Sequence, residues 1–179
     1  MVIWLTGLSG AGKTTIANAL IEIMKPALPG LISVDGDAVR ELFGENLGFD
    51  IKSRVEQIGR IQRLALFLLK QKLPVIVSAL YSDPILFEWN RSNLPGYFEV
   101  YLKTPLAVVE KRDTKNFYVR ARKGELRNVV GIDIPWQEPA SPNIIFDTVG
   151  ATAQEIAFRI IHAVPQLSLS YESFQNAEK

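Results

Sequence analysis

The residues with the clearest chemical potential form a glycine-rich segment near the start of the chain. This segment matches the pattern G-x-x-x-x-G-K-[ST], in which main-chain N–H groups surround a phosphate. Glycine permits the left-handed backbone that such a loop needs, and a following helix adds positive partial charge at its N-terminus. We predict that Lys13 contacts the β- and γ-phosphates of ATP and that the Thr14 hydroxyl holds Mg²⁺. The predicted nucleotide-binding residues of the loop are Gly7, Ser9, Gly10, Ala11, Gly12, Lys13, Thr14 and Thr15.

Two acidic residues, Asp35 and Asp37, are candidates to act on the accepting hydroxyl and on the metal in a phosphoryl transfer. They follow an apolar β-type run, and parallel sheets bind ligands where their strands end. Phosphoryl transfer depends on alignment and charge neutralisation, so a carboxylate beside the accepting hydroxyl is expected. We predict that Asp37 orients or deprotonates this hydroxyl, that Asp35 lies nearer the metal, and that Lys13 completes the catalytic group. The alternative is that one carboxylate only caps a helix that begins near Ala38.

A basic segment follows later in the chain. Lys111–Arg127 contains seven basic and two acidic residues. Guanidinium groups bind phosphates, and a mobile segment that carries them could also exclude water from the reaction. Because Gly124 and Gly131 offer hinges, we predict that this basic segment, about residues 111–133, forms a lid. A solvated basic surface or an RNA-contacting patch is the alternative.

The remaining sequence supplies the elements that must position these residues. Apolar β-type runs alternate with helical patterns, which predicts a five-stranded, mostly parallel sheet in a three-layer α/β/α sandwich. The predicted strands are Val2–Leu5, Leu31–Val34, Val75–Val77, Phe98–Leu102 and Ile144–Phe146, and the predicted helices are Thr14–Met24, Ile51–Lys72, Asp83–Asn93, Pro105–Lys111 and Thr152–Val164. Apolar residues at Ile51 and Val55 begin the buried stripe of the longest helix. Residues 1–164 form the predicted domain, and 165–179 a loose or partner-docked tail after Pro165.

Composition narrows the class of protein. The chain has 179 residues and no cysteine, so it suits one compact domain and has neither disulfides nor thiolate metal sites. Its net charge of +1 argues against general nucleic-acid binding. There is no apolar run of about 18 residues and no basic region before the first apolar stretch. We expect a cytoplasmic protein with a small nucleotide substrate and no nucleic-acid or membrane partner.

The phosphate loop and four further blocks together resemble the adenylylsulfate kinase (APS kinase) family. The blocks are Asp35-Gly36-Asp37, Leu47-Gly48-Phe49, Lys123-Gly124-Glu125 and Gly131-Ile132-Asp133, and the likeness runs from about Val2 to Thr148. The resemblance implies transfer of the ATP γ-phosphate to the ribose 3′-hydroxyl of adenosine 5′-phosphosulfate (APS), in sulfate assimilation. Members of this family often dimerise, so a homodimer is one state that the resemblance implies.

The same resemblance implies roles for individual side chains. Arg40 and Arg54 would contact the phosphate or sulfate of the acceptor, and Phe49 would stack on its base. Lys115 would contact phosphate from the lid, and Arg112 would pack on the adenine of ATP. The implied acceptor-side residues are Arg40, Phe49, Arg54, Gln57, Leu80, Lys115 and Val129.

The sequence departs from the family pattern on the acceptor side. Val129 stands where a second stacking aromatic is usual, and Gln57 stands where an asparagine is usual. Tyr81 occupies the position of a serine, so we predict direct transfer without a phosphoserine. These changes leave open another nucleotide acceptor, such as cytidine diphosphoramidate in surface-polysaccharide modification. An ATP-dependent switch or interaction module is the alternative from a different class of protein.

Overall fold

The computed structural model describes residues 1–44 and 46–177. Its centre is a sheet of five parallel strands. The first strand, β1 Val2–Thr6, pairs with a strand on each side and has helices over both faces, so all five of its residues are buried. The other strands are β2 Ile32–Asp35, β3 Val75–Ala79, β4 Tyr97–Lys103 and β5 Ile144–Asp147. The order across the sheet is β2-β3-β1-β4-β5.

Helices cover both faces of this sheet, which confirms the predicted three-layer sandwich. Helices pack against Ile3 and Leu5 on one face of the sheet and against Val2 and Trp4 on the other. Within the described residues, no helix has the length and apolar character that crossing a bilayer requires. The helices are α1 Lys13–Met24, α2 Gly36–Leu42, α3 Ile51–Lys70, α4 Pro84–Asn93, α5 Leu106–Lys111, α6 Phe117–Arg122, α7 Ala153–Ala163 and α8 Pro165–Ala177.

The buried face of α3 differs from the predicted stripe at its beginning. Ile51 is 55% exposed and Val55 is 38% exposed, whereas Gln57 and Gln62 are buried. The two glutamines tolerate burial because neighbouring chain segments accept their amide hydrogens: Gln57 Nε2 donates to Gly36 O at 3.1 Å, and Gln62 Nε2 to Leu86 O at 3.1 Å. The two buried glutamines therefore mark contacts of α3 with α2 and α4, which the spacing of apolar residues alone does not predict.

The segment after Pro165 is a helix, and the expectation of a loose tail was wrong for Pro165–Ala177. Proline is tolerated in the first turn of a helix, so Pro165 begins α8 instead of ending the helical part of the chain. Leu167 is fully buried, and the Tyr171 ring lies 6.2 Å from the Phe158 ring of α7 in an edge-to-face contact. The segment thus extends the helical layer formed by α1 and α7, while residues 178–179 of the predicted tail lie outside the described part.

Candidate active site

The phosphate loop connects the end of β1 to the beginning of α1. A Cβ atom at Gly7 would lie 2.7 Å from the carbonyl oxygen of Leu102, so only glycine fits against β4 there. Gly10 has a φ of 79°, in the left-handed region. The N–H of Ala11 donates to Leu8 O at 3.1 Å and closes the turn. The local sequence therefore builds the loop that the motif predicted.

Lys13 lies inside this loop. Its Nζ donates to Gly7 O at 2.9 Å and to Leu8 O at 2.8 Å. Burial lowers the pKa of Lys13 to about 8, and the nearby charges of Asp35 and Asp37 oppose this shift. A bound phosphate would oppose it further, because a negative charge favours the ammonium form.

Asp35 contacts the start of both neighbouring helices. Thr14 Oγ1 donates to Asp35 Oδ2 at 2.7 Å, and the N–H of Asp37 donates to Asp35 Oδ1 at 2.9 Å. Asp35 is therefore the N-cap of α2 and also the carboxylate beside the phosphate loop, so the capping alternative and the metal-side prediction apply to the same residue. A hydroxyl and one carboxylate suit Mg²⁺, which takes its remaining ligands from water and phosphate oxygens.

Asp37 points in a different direction from Asp35. The strand ends at Asp35 and α2 begins at Gly36, so the two carboxylates do not share one strand face. The Asp37 side chain is 84% exposed, and its Oδ2 lies 3.5 Å from Lys115 Nζ of the basic segment. The Asp35 carboxylate thus faces the phosphate loop, and the Asp37 carboxylate faces the basic segment.

Phe49, the residue predicted to stack on the acceptor base, has an aromatic ring beside two arginines. Its side chain is 49% exposed, and the guanidinium carbons of Arg40 and Arg54 lie 4.5 Å and 5.7 Å from its ring centre. Both arginines are held by main-chain carbonyl groups. Arg40 Nη1 donates to Leu47 O at 2.7 Å, and Arg54 Nε donates to Phe49 O at 2.7 Å. The structure therefore places an aromatic face and two cations at one wall of the cavity.

The basic segment forms a further wall of the site. Arg54 Nη2 donates to Asn128 O at 2.8 Å, which connects α3 to this segment. Arg112 donates through Nη1 to Thr148 Oγ1 at 3.2 Å and through Nη2 to Thr148 O at 3.0 Å, which fixes it beside the end of β5. The hydroxyl of Tyr118 donates to Ser9 O at 2.9 Å. Sequence reasoning missed Tyr118 because this contact joins residues 109 positions apart.

These walls enclose a cavity of about 700 Å³. Gly7 and Ala11 do not line it; both are buried, and Gly7 contributes to the loop through its close approach to β4. Among the described residues no cluster of three or more acidic or histidine side chains could hold a metal by itself. The predicted residues that line the cavity are Ser9, Gly10, Gly12, Lys13, Thr14, Thr15, Asp35, Asp37, Arg40, Phe49, Arg54, Gln57, Leu80, Arg112, Lys115 and Val129.

Comparisons with known proteins agree with this geometry. A family model described as adenylylsulphate kinase matches residues 1–147. An adenylyl-sulfate kinase of Gloeothece citriformis is 38% identical over 167 residues, which cover 93% of this chain and 95% of the relative. A cytidine diphosphoramidate kinase of Campylobacter jejuni is 37% identical over 144 residues, which cover 80% and 84%.

A solved structure shows the same architecture. It is the Mycobacterium tuberculosis APS kinase in complex with AMPPNP and APS, with a TM-score of 0.81 and 28% sequence identity over 92% of this chain and 96% of that one. The family resemblance predicted from the sequence is confirmed by the family model and by relatives near 40% identity. The chain belongs to the adenylylsulphate kinase family and is a phosphotransferase.

Proposed function

We propose that this protein transfers the γ-phosphate of ATP to the 3′-hydroxyl of APS and forms 3′-phosphoadenosine 5′-phosphosulfate. The observation that carries the proposal is one cavity lined both by the phosphate loop and by the aromatic and cationic residues Phe49, Arg40 and Arg54. The similar Mycobacterium tuberculosis enzyme was solved in complex with AMPPNP and APS, which supports ATP and APS as the two substrates.

The donor half of the site neutralises charge. Lys13 and the N-terminus of α1 would bind the phosphates of ATP. Thr14 and Asp35 would hold Mg²⁺, which neutralises negative charge on the phosphoryl group during transfer. The hydrogen bond from Thr14 to Asp35 supports this assignment, because it brings the two oxygen atoms together on one side of the loop.

The acceptor half aligns a hydroxyl. In the proposed reaction the 3′-oxygen of the acceptor bonds to the γ-phosphorus, while the bond from that phosphorus to ADP breaks. The hydroxyl proton passes to the Asp37 carboxylate and from there to solvent. Lys115 would neutralise the negative charge of Asp37 or contact the phosphate during its transfer. Its Nζ lies 3.5 Å from Asp37 Oδ2. Transfer without a phosphoserine intermediate stays a prediction; Tyr81 lines the cavity at the position concerned.

A second acceptor is favoured by one specific feature. Val129 lines the cavity where the family usually has an aromatic residue, and a smaller base needs less stacking surface. The 37% identical cytidine diphosphoramidate kinase supports this alternative. We therefore keep a pyrimidine nucleotide as the second candidate.

An acceptor panel tests both candidates. ADP production would be measured with ATP and Mg²⁺ together with APS, with cytidine diphosphoramidate or without any acceptor, and the product would be mapped by phosphorus NMR. The first proposal requires the highest kcat/KM with APS and a phosphate on the 3′-oxygen. A higher kcat/KM with cytidine diphosphoramidate supports the second. Hydrolysis that no acceptor accelerates contradicts both and favours an ATP-dependent switch.

Removing the stacking ring should weaken acceptor binding. In Phe49→Ala we expect the KM for APS to rise by about 5- to 150-fold, equivalent to roughly 1–3 kcal/mol of base stacking. Phe67→Ala is the matched control, because Phe67 is an exposed phenylalanine of α3 outside the cavity lining. An unchanged KM in Phe49→Ala would remove Phe49 from the acceptor site.

The lowered pKa of Lys13 predicts how ATP binding depends on pH. Lys13 loses its charge in the free enzyme as the pH rises through about 8, whereas bound phosphates favour the charged form. ATP affinity should therefore fall roughly eightfold between pH 7.5 and pH 9, as measured by calorimetry. Lys13→Ala should lack this dependence. Equal ATP affinities of the wild type at the two pH values would contradict the assignment of Lys13 as a phosphate contact.

The cytoplasmic location and the homodimer stay predictions from the sequence. Sedimentation velocity at micromolar protein concentration would test the homodimer.

A further inference from the structure

We propose that the Tyr118 hydroxyl is a positioning group for the phosphate loop, because it holds the peptide between Ser9 and Gly10 in one orientation. This inference rests on the proposed use of ATP as the phosphate donor. It assigns a role to a residue that the phosphate-loop motif does not contain and that lies in the basic segment.

Three successive carbonyl groups of the loop are engaged by protein donors. Lys13 Nζ donates to the carbonyls of Gly7 and Leu8, and Tyr118 donates to that of Ser9 at 2.9 Å. No peptide bond is cis in the described residues, and in a planar trans peptide the N–H points opposite to the carbonyl. Holding the Ser9 carbonyl therefore also fixes the direction of the Gly10 N–H.

Gly10 itself offers this peptide little restraint. Gly10 has a φ of 79° and no side chain, so rotation of the Ser9–Gly10 peptide meets little steric resistance. Lys13 restrains the preceding carbonyls, but it makes no hydrogen bond to that of Ser9 among the described residues. The Tyr118 hydroxyl thus restrains the part of the loop that the lysine does not.

Tyr118 is itself held firmly. Its side chain is 1% exposed, and its main-chain N–H donates to Asp113 Oδ2 at 2.7 Å at the beginning of α6. Its ring packs near Gly131, where an added Cβ would lie 3.9 Å from Tyr118 Cε1. Burial raises the pKa of the hydroxyl, with Asp113 and Glu110 contributing, so the group remains a protonated donor.

The contact also joins two parts of the site that must act together. Tyr118 belongs to the basic segment that carries Arg112 and Lys115 into the cavity wall. A displacement of α6 would release the Ser9 carbonyl, so the position of the basic segment and the shape of the phosphate loop depend on each other. Loss of the hydroxyl should therefore weaken phosphate binding while the acceptor wall remains intact.

Tyr118→Phe tests this proposal, because it removes one oxygen and keeps the ring. We expect the dissociation constant for ATP, measured by calorimetry without acceptor, to rise about three- to tenfold, as the loss of one hydrogen bond would cause. The affinity for APS alone should remain unchanged. In spectra of the ¹⁵N-labelled protein, the shift of the Gly10 amide on ATP binding should become smaller.

Tyr101→Phe is the matched control. Tyr101 is also buried, and its hydroxyl accepts a hydrogen bond from Trp136 Nε1 at 3.1 Å outside the cavity lining. The Tyr101→Phe variant should lose about as much thermal stability as Tyr118→Phe, and it should keep the ATP affinity of the wild type. Wild-type ATP affinity and an unchanged Gly10 shift in Tyr118→Phe would overturn the proposal. A wild-type protein that binds ATP without phosphorylating APS would instead contradict the proposed function alone, and one that binds no ATP would contradict both.

Discussion

Lys13→Ala should reduce kcat with ATP and the acceptor by at least about 100-fold, since removing one preorganised transition-state contact typically costs roughly 2.7–4 kcal/mol. The ammonium group lies inside the loop, where it donates to two carbonyls and is ready to contact the phosphates. Steady-state kinetics with a coupled ADP assay would measure the loss. The fold should survive, because the substitution removes a partly buried charge that itself costs free energy of desolvation.

Lys25→Ala provides the comparison for this variant. Lys25 follows the other end of α1, and its Nζ also donates to a main-chain carbonyl, that of Leu31 at 3.1 Å. It therefore controls for the loss of a lysine and of its hydrogen bond, and its kcat should equal that of the wild type. A wild-type kcat in Lys13→Ala would mean that the loop does not bind the transferring phosphates.

Asp37→Asn should lose turnover while ATP binding is retained. A carboxylate that aligns the acceptor hydroxyl and takes its proton contributes about 10²- to 10⁴-fold to the rate, and asparagine cannot accept that proton. The Asp37 side chain is mostly exposed to the cavity and is not the N-cap of α2, so its replacement should leave the loop unchanged. Measurements of kcat and of the ATP dissociation constant on the same protein would separate the two effects.

Asp83→Asn is the matched control for Asp37→Asn. Asp83 follows β3 at the same edge of the sheet and caps α4 by accepting the N–H of Ile85 at 2.9 Å. Asparagine caps helices as well as aspartate does, so this variant removes one negative charge with little structural effect. Both kcat and ATP affinity should be unchanged in Asp83→Asn. Unchanged kcat in Asp37→Asn would remove Asp37 from the acceptor role.

The succession along the chain of the five strands and of α1, α3, α4, α5 and α7 could be predicted, because each depends on neighbouring residues. The short helix α6 was not predicted, and α2 appeared only in the capping alternative. All five strands appear within one or two residues of the apolar runs that indicated them, for example Val2–Thr6 for the predicted Val2–Leu5. The expectation of a loose segment after Pro165 was wrong for a local reason. Proline ends one helix and begins another equally well, and only the burial of Leu167 against α7 and its neighbours distinguishes the two outcomes.

The placement of the side chains predicted to contact the acceptor depended more on packing than on any motif. The family resemblance implied Arg40, Arg54 and Phe49, but it did not show that main-chain carbonyls hold both guanidinium groups beside the ring. Nor could it show the hydrogen bond from Gln57 to Gly36 O, which joins residues 21 positions apart. Such contacts require α2 and α3 to be placed against each other first.

By itself the sequence determined the phosphate loop and its position between a strand and a helix. This was possible because glycine conformations, the lysine and the hydroxyl all act within a few consecutive residues. Only the tertiary structure decided how Asp35 and Asp37 divide, since one turns towards Thr14 and the other towards Lys115. It also decided that Tyr118 supports Ser9 across 109 positions, because a contact of that range depends on how the whole sheet and its helices pack.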